Sequence, residues 1–155
     1  MGQPDEFGDG LITLDINPDR KPDIVWDLEN LPLPFEDGIF DEIHAYQVLE
    51  HLGSQGDQDQ FFGFFNEMYR LIKPKGIVCL SFPNVTSEWV WGDPGHKRFI
   101  HPYYFNFLSQ AYYKSECDEK VTMTSDYRYI YKGDFEVRWS SQNSDCYYIL
   151  LEAIK

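Results

Sequence analysis

One stretch limits the possible folds more than any other. Phe61, Phe65, Met68 and Ile72 repeat at the spacing of one helical face, and Ile77-Val78-Cys79-Leu80-Ser81-Phe82 follows as a continuous apolar run. Between them, Lys73-Pro74-Lys75-Gly76 places two cations at the negative end of the helix and a proline and a glycine to stop it. Asp57 with Gln60 resembles a capping box, so a helix is predicted over 57–72. Upstream, Phe40 to Tyr46 mixes alternation with β-forming residues, and Gln47 to Leu52 reads as a short helical turn before Gly53. Strand, helix and strand in that order make a βαβ unit with a right-handed crossover. The unbroken apolar second strand suits a parallel sheet buried on both faces.

The rest of the chain is read against that unit. Leu11-Ile12-Thr13-Leu14 is β-prone and stops at Asp15-Ile16-Asn17-Pro18, where Asn-Pro starts a turn. Ile24-Val25-Trp26-Asp27 is a second short run, and Leu31-Pro32-Leu33-Pro34-Phe35 holds too much proline for a regular element. Residues 89–126 read as an aromatic-rich lid or insertion, with a helix from Pro102 to about Tyr113 and polar loop over 114–126. Phe135 to Ser140 and Cys146 to Ile154 flank a turn at Gln142-Asn143-Ser144-Asp145 and predict an antiparallel hairpin. A length of 155 residues with no internal linker gives one domain over 1–155.

Polar groups therefore recur where strands should stop: Asp15, Asp27 and Glu50-His51. In open α/β sheets that edge is where ligands bind. A carboxylate fixed at a strand end can accept both hydroxyls of a ribose. The plainer alternatives stay open, with Asp15 as a turn former bonded to Asn17, Asp27 likewise, and Glu50 and His51 bracing a short helix.

These words, taken together, resemble the class I S-adenosylmethionine-dependent methyltransferases. Leu14-Asp15-Ile16-Asn17-Pro18 is similar to that family's acidic second-strand end, which holds the cofactor ribose. Trp26-Asp27-Leu28 and the proline-rich passage into Phe40-Asp41-Glu42-Ile43 look like its adenine-side loop. Gln47-Val48-Leu49-Glu50-His51-Leu52 is the most specific match, to the type 11 group, and Leu71 to Gly76 matches its helix-to-strand junction. The resemblance implies an α/β, Rossmann-like methyltransferase sheet, mostly parallel with a C-terminal antiparallel hairpin, and S-adenosylmethionine as cofactor. It implies cofactor binding by Asp15, Ile16, Asp27, Leu28, Tyr46, Gln47 and Glu50.

One departure is marked. The family's first strand ends in a glycine-rich loop that approaches the amino-acid end of the cofactor, whereas only Gly2, Gly8 and Gly10 precede Asp15, with no apolar strand in front. An N-terminally abbreviated sheet is expected, without its central strand. Either the flanking strands pair directly or another chain supplies the element, and the uncovered edges predict a homodimer.

Composition removes several classes. A formal charge of −13 with scattered cations excludes non-specific nucleic-acid binding and disfavours anionic membrane surfaces. Neither a membrane-spanning run nor a signal peptide is read at the start Met-Gly-Gln-Pro-Asp-Glu, so a cytoplasmic protein is expected. Cys79, Cys117 and Cys146 suit free thiols. His96 and His101 have a spacing found in zinc sites, but no Cys-x-x-Cys accompanies them and no metal is expected. His51 and His96 are the candidate general bases, and His96 with Arg98 follows a hinge at Gly92-Asp93-Pro94-Gly95. The sequence thus points to a methyltransferase acting on a small molecule or sugar-like acceptor. The alternative is a catalytically degenerate relative serving as a binding or assembly module.

Overall fold

The computed structural model describes residues 10–120, 122 and 124–155. Gly2, Gly8 and the acidic pair Asp5-Glu6 lie outside them. Six strands and one long helix set the frame: β1 (Leu14–Asp15), β2 (Ile24–Val25), β3 (Phe40–Tyr46), α1 (Gln58–Leu71), β4 (Ile72–Pro83), then β5 (Phe135–Gln142) and β6 (Cys146–Ala153). Two short helices, α2 (Trp89–Gly92) and α3 (Gln110–Tyr113), lie between β4 and β5. The architecture is α/β and Rossmann-like, in two sheets: β1-β2, and β3-β4-β6-β5.

The βαβ unit forms as its sequence requires. Asp57 caps α1 by accepting from Gln60 N–H at 3.0 Å, and β3 pairs parallel with β4. The predicted stop Lys73 to Gly76 is absorbed into β4 as a bulge opposite Asp41. Lys75 there takes φ 62, and a Cβ on Gly76 would stand 2.5 Å from Ile72 and 2.9 Å from the Asp41 carbonyl. Glycine is needed for that close approach.

Register puts Ile43, Val78 and Leu151 in one row and Ala45, Leu80 and Ile149 in the next, all on the face that meets α1. Phe61, Phe65, Met68 and Leu71 fill the space against it, each contributing about 1.5–3 kcal/mol by burial. Glu67, buried beside them, accepts from Leu33 N–H at 2.7 Å and pairs with Arg70 at 2.6 Å. Arg70 also donates to Phe35 O at 2.8 Å, so the proline-rich passage is tied to α1 without regular structure.

The C-terminal hairpin pairs antiparallel, β6 lying between β4 and β5. Its Phe135 and Ala153 close the core. Two expectations for the aromatic segment change. Pro102–Leu108 is a 3-10 helix rather than the start of an α-helix, and the polar stretch continues from α3 as a π-helical turn over Lys114–Glu119. Much of the segment packs into the core: Phe105 stacks on Phe82 at 5.5 Å, buried Tyr113 donates to Phe107 O, and Tyr131, beyond the segment, donates to Leu108 O. Both tryptophans of the segment, Trp89 and Trp91, are exposed.

The two sheets do not pair. Among the described residues β1 bonds to β2 only, and an apolar cleft of about 240 Å³ separates Leu11, Ile12 and Leu14 from Ile43 and Ala45, with Phe64 and Met68 beneath. Direct pairing of the first strand with Phe40–Tyr46 is therefore corrected. The strand predicted over 11–15 is also shorter, because the Thr13 side chain bonds Asp23 in place of a longer ladder.

Candidate functional site

Both short strands end in the same local device. Asp15 Oδ1 accepts from Asn17 N–H at 2.8 Å, and Asp27 Oδ1 accepts from Glu29 N–H at 2.9 Å. Each is an Asx turn, which lets the chain leave the sheet while the carboxylate stays at its edge. The second oxygen of each carboxylate bonds nothing among the described residues. The turn-forming alternative for both acids is thus realised, and it leaves one acceptor oxygen on each.

The facing wall comes from the end of β3. Gln47 takes φ 55, a left-handed backbone uncommon outside glycine, and turns the chain directly into the 3-10 turn Leu49–His51. Oriented to satisfy both amide ends, Gln47 donates to Glu50 Oε1 at 3.2 Å and accepts from Ser81 Oγ at 3.1 Å and Phe82 N–H at 3.3 Å. Glycine at 53 is required, since a Cβ would lie 2.9 Å from Gln60. Its N–H donates to Glu29 Oε1 at 2.6 Å, and Lys97 Nζ reaches the same oxygen at 3.0 Å. These two donors hold the Glu29 carboxyl below the usual carboxylate range, the Gly53 N–H most strongly.

Between the walls lies a cleft of about 330 Å³. Asp15, Ile16, Asp27 and Leu28 line one side, and Gln47 and His51 the other. Six residues named from the sequence are thereby brought together. Tyr46 is not among them: it shares the outer face of β3 with His44, whose Nδ1 is 2.7 Å from the Tyr46 hydroxyl. Glu50 lies beneath rather than in the cleft, 1% exposed, and burial pushes its carboxyl above the usual range.

The segment after the Gly92 hinge is fastened to this floor. Lys97 N–H and Arg98 N–H both donate to Glu50 O, at 2.8 and 3.3 Å, and His96 packs edge-on to His51 with ring centroids 4.8 Å apart. Arg98, read as a lid residue, is a buried brace instead. It donates to Leu52 O and Asp57 O and lies 5.6 Å over Phe61, while burial works against its charge.

Trp26, Glu29, Leu52 and Lys97, which sequence reasoning did not single out as site residues, also line the cleft, with Leu14 and Val48. Trp26 was adjacent to the strand-end Asp27 and was legible by position. Glu29 and Lys97 meet only through folding across 68 positions of chain.

The arrangement suits a polyhydroxylated, planar ligand: acceptors at two adjacent strand ends, an indole beside them and an apolar rim. Residues 13–80 match the family described as methyltransferase domain. Over that stretch the chain is similar to the class I S-adenosylmethionine-dependent methyltransferases. Over 84 residues, 54% of this chain and 28% of the relative, the sequence is 31% identical to a "Probable S-adenosylmethionine-dependent methyltransferase" of Mycolicibacterium smegmatis. The chain thus spans about a quarter of that relative's length. In fold it is similar to a SAM-dependent methyltransferase from Archaeoglobus fulgidus, with a TM-score of 0.55 and 17% identity over 90% of this chain and 74% of that one. N-methyltransferase NodS from Bradyrhizobium japonicum, in complex with S-adenosyl-L-homocysteine, has a TM-score of 0.48 and 14% identity over 92% and 65%. S-adenosylmethionine is the cofactor of this family. Among the described residues no helix is long and apolar enough to cross a membrane.

Proposed function

We propose that this chain binds S-adenosylmethionine through its nucleoside end and transfers its methyl group to a small-molecule or sugar-like acceptor. The observation that carries this is the single cleft in which Asp15 and Asp27, at adjacent strand ends, face Gln47 and His51. In this reading the free oxygen of Asp15 accepts from the ribose, Ile16 and Leu28 border the adenine, and Asp27 faces its amino group. The cleft volume falls within the ordinary range for small-ligand sites. The cofactor supplies a sulfonium-bound methyl group, so the chain's own task is alignment and exclusion of water. His51, at the cleft wall, and His96 behind it are placed to take a proton where the acceptor carries one.

The residue 89–126 segment acts in the same reading as a partial cover: its hinge-to-Arg98 portion closes the site, while Phe105 and Tyr113 anchor it in the single domain. The exposed Trp89 and Trp91 support self-association as a homodimer, which light scattering tests directly; a concentration-independent monomer overturns it. The free thiols and the charge of −13 favour a cytoplasmic setting without nucleic-acid or membrane partners.

The test is a thermal-shift titration with S-adenosylhomocysteine. At a hundred times its dissociation constant a ligand of the native state adds about 2.7 kcal/mol of stability. No shift at millimolar ligand overturns the reading for this chain.

A further inference from the structure

We propose that Glu50, His51 and His96 form a binding site for one divalent transition-metal cation, such as Zn²⁺, Co²⁺ or Mn²⁺. One ligand atom from each lies within 4.8 Å of the others. Three further observations point the same way.

The first is the tautomer of both histidines. His51 Nδ1 is 3.0 Å from Gly95 O, and His96 Nδ1 is 3.0 Å from Val90 O. A carbonyl only accepts, so each Nδ1 carries the proton and each Nε2 is left with its lone pair. Metal-binding histidines are held in this way, with the ring oriented by a carbonyl and the second nitrogen presented to the ion.

The second is Glu50. Its side chain is buried, and Oε2 has no hydrogen-bond partner among the described residues. An unpaired carboxylate oxygen out of water is costly unless a cation or donor meets it. Gln47 engages the other oxygen and so orients the carboxylate, as outer partners of metal sites do.

The third is anchoring. Lys97 N–H and Arg98 N–H bind Glu50 O, so the loop bearing His96 is fixed to the turn bearing Glu50 and His51. Donors from segments more than forty positions apart are thereby held in one place. Ligands about 2.1 Å from a tetrahedral cation stand roughly 3.4 Å apart, so the donors close in by roughly 1.4 Å at most. Two imidazoles and one carboxylate occupy part of the coordination shell and leave positions open. Imidazole favours Zn²⁺ and Co²⁺ most, and Mn²⁺ less, over Mg²⁺, which takes oxygen ligands.

One consequence rests on the methyl-transfer reading, whereas the site itself does not. With both Nε2 lone pairs given to the ion, neither histidine takes a proton. An acceptor hydroxyl would lose its proton to solvent as a ligand of the cation, and its oxygen would then attack the methyl carbon as the carbon–sulfur bond breaks, leaving S-adenosylhomocysteine with the electron pair on sulfur.

The experiment is calorimetric titration of ZnCl₂, MnCl₂ and MgCl₂ into the full chain after treatment with EDTA, with CoCl₂ absorption as a ligand-field signature. Expected are one Zn²⁺ or Mn²⁺ per chain, Mg²⁺ at least about ten-fold weaker, and binding about a hundred-fold or more weaker in Glu50→Gln and His96→Ala. His101→Gln, outside the cluster, binds as the unaltered chain does. Unchanged far-UV circular dichroism in the isosteric Glu50→Gln separates ligand loss from unfolding. No binding, several weak sites indifferent to these substitutions, or equal affinity for Mg²⁺ overturns the proposal. S-adenosylhomocysteine is titrated into the same EDTA-treated protein. Its binding without any cation binding sinks the metal site alone, and cation binding without it sinks the cofactor reading alone.

Discussion

The two walls of the cleft are built by different means. Among the described residues one wall, β1-β2, has only the pairs Leu14–Ile24 and Asp15–Val25, reinforced by Thr13, whose N–H and hydroxyl both donate to Asp23. The other ends a ladder of β3, β4 and β6 whose inner face is buried against α1. The first wall carries half-buried, half-satisfied carboxylates, and the second a buried carboxylate and two oriented imidazoles. A site that must admit a ligand and also hold reacting groups steady can divide the two duties this way. Weakly packed elements open at small free-energy cost, and core strands do not.

The largest effect expected is on the strong wall. Phe65→Ala empties a fully buried position of α1 and is expected to cost about 3–5 kcal/mol in urea denaturation. A loss below about 1 kcal/mol would mean that the helix–sheet core does not carry the stability, and the contrast between the walls would fail.

Next is Asp15→Asn, which keeps an oxygen for the Asn17 N–H but removes the charge. Affinity for S-adenosylhomocysteine, measured by calorimetry, is expected to fall about ten- to a hundred-fold, the worth of a charge-assisted hydrogen bond. Unfolding should be nearly unchanged. An equal loss of stability and affinity would make Asp15 a structural turn and nothing more.

Glu50→Gln should move the strong wall the other way. In EDTA, removing a buried charge whose Oε2 is unpartnered is expected to raise stability by about 1 kcal/mol. A destabilised variant would show that the carboxylate already has a compensating partner.

The smallest effects are in pH dependence, and they have opposite signs. Thr13 N–H, and then its hydroxyl, depress the Asp23 carboxyl below 3.8; its contribution to the weak wall is present above the unfolded value and lost as pH falls through the folded one. Burial raises Asp134, beside β5, so its native state holds the proton more tightly. That contribution is present below 3.8 and lost as pH rises through the folded value. Protection factors of the Ile24 and Trp26 amides, corrected for intrinsic exchange, should therefore fall on acidification, while Asp134→Asn flattens the melting temperature above pH 3.8. A protection factor at Ile24 that does not respond to acid would remove Asp23 from the account.

Legibility followed the same division. The βαβ unit could be read because periodicity, cap and stop signals agree at Asp57, Phe61, Phe65 and Gly76, and the hairpin because two β-rich runs flank a polar turn. Asp15 and Asp27 were legible because strand ends are marked by turn residues, and Gln47 because its run resembles a family motif. The aromatic segment was not. Phe105, Tyr113 and Trp91 are chemically alike in sequence, and only packing sends the first two into the core and leaves the third exposed. Tyr46 was misplaced for a related reason: strand alternation gives two faces but does not say which one meets the cleft.

Local order and chemistry belong to the chain itself: the helix and its ends, the parallel unit, the acids that close each short strand and the glycine that admits the bulge at Asp41. These follow from backbone preferences and periodicity, which act over a few residues. The convergence of Glu50, His51 and His96, the fastening of Lys97 to Glu29, and the cleft between sheets that do not pair were decided only in three dimensions. Their partners lie tens of residues apart, and no local pattern encodes a distance across the core.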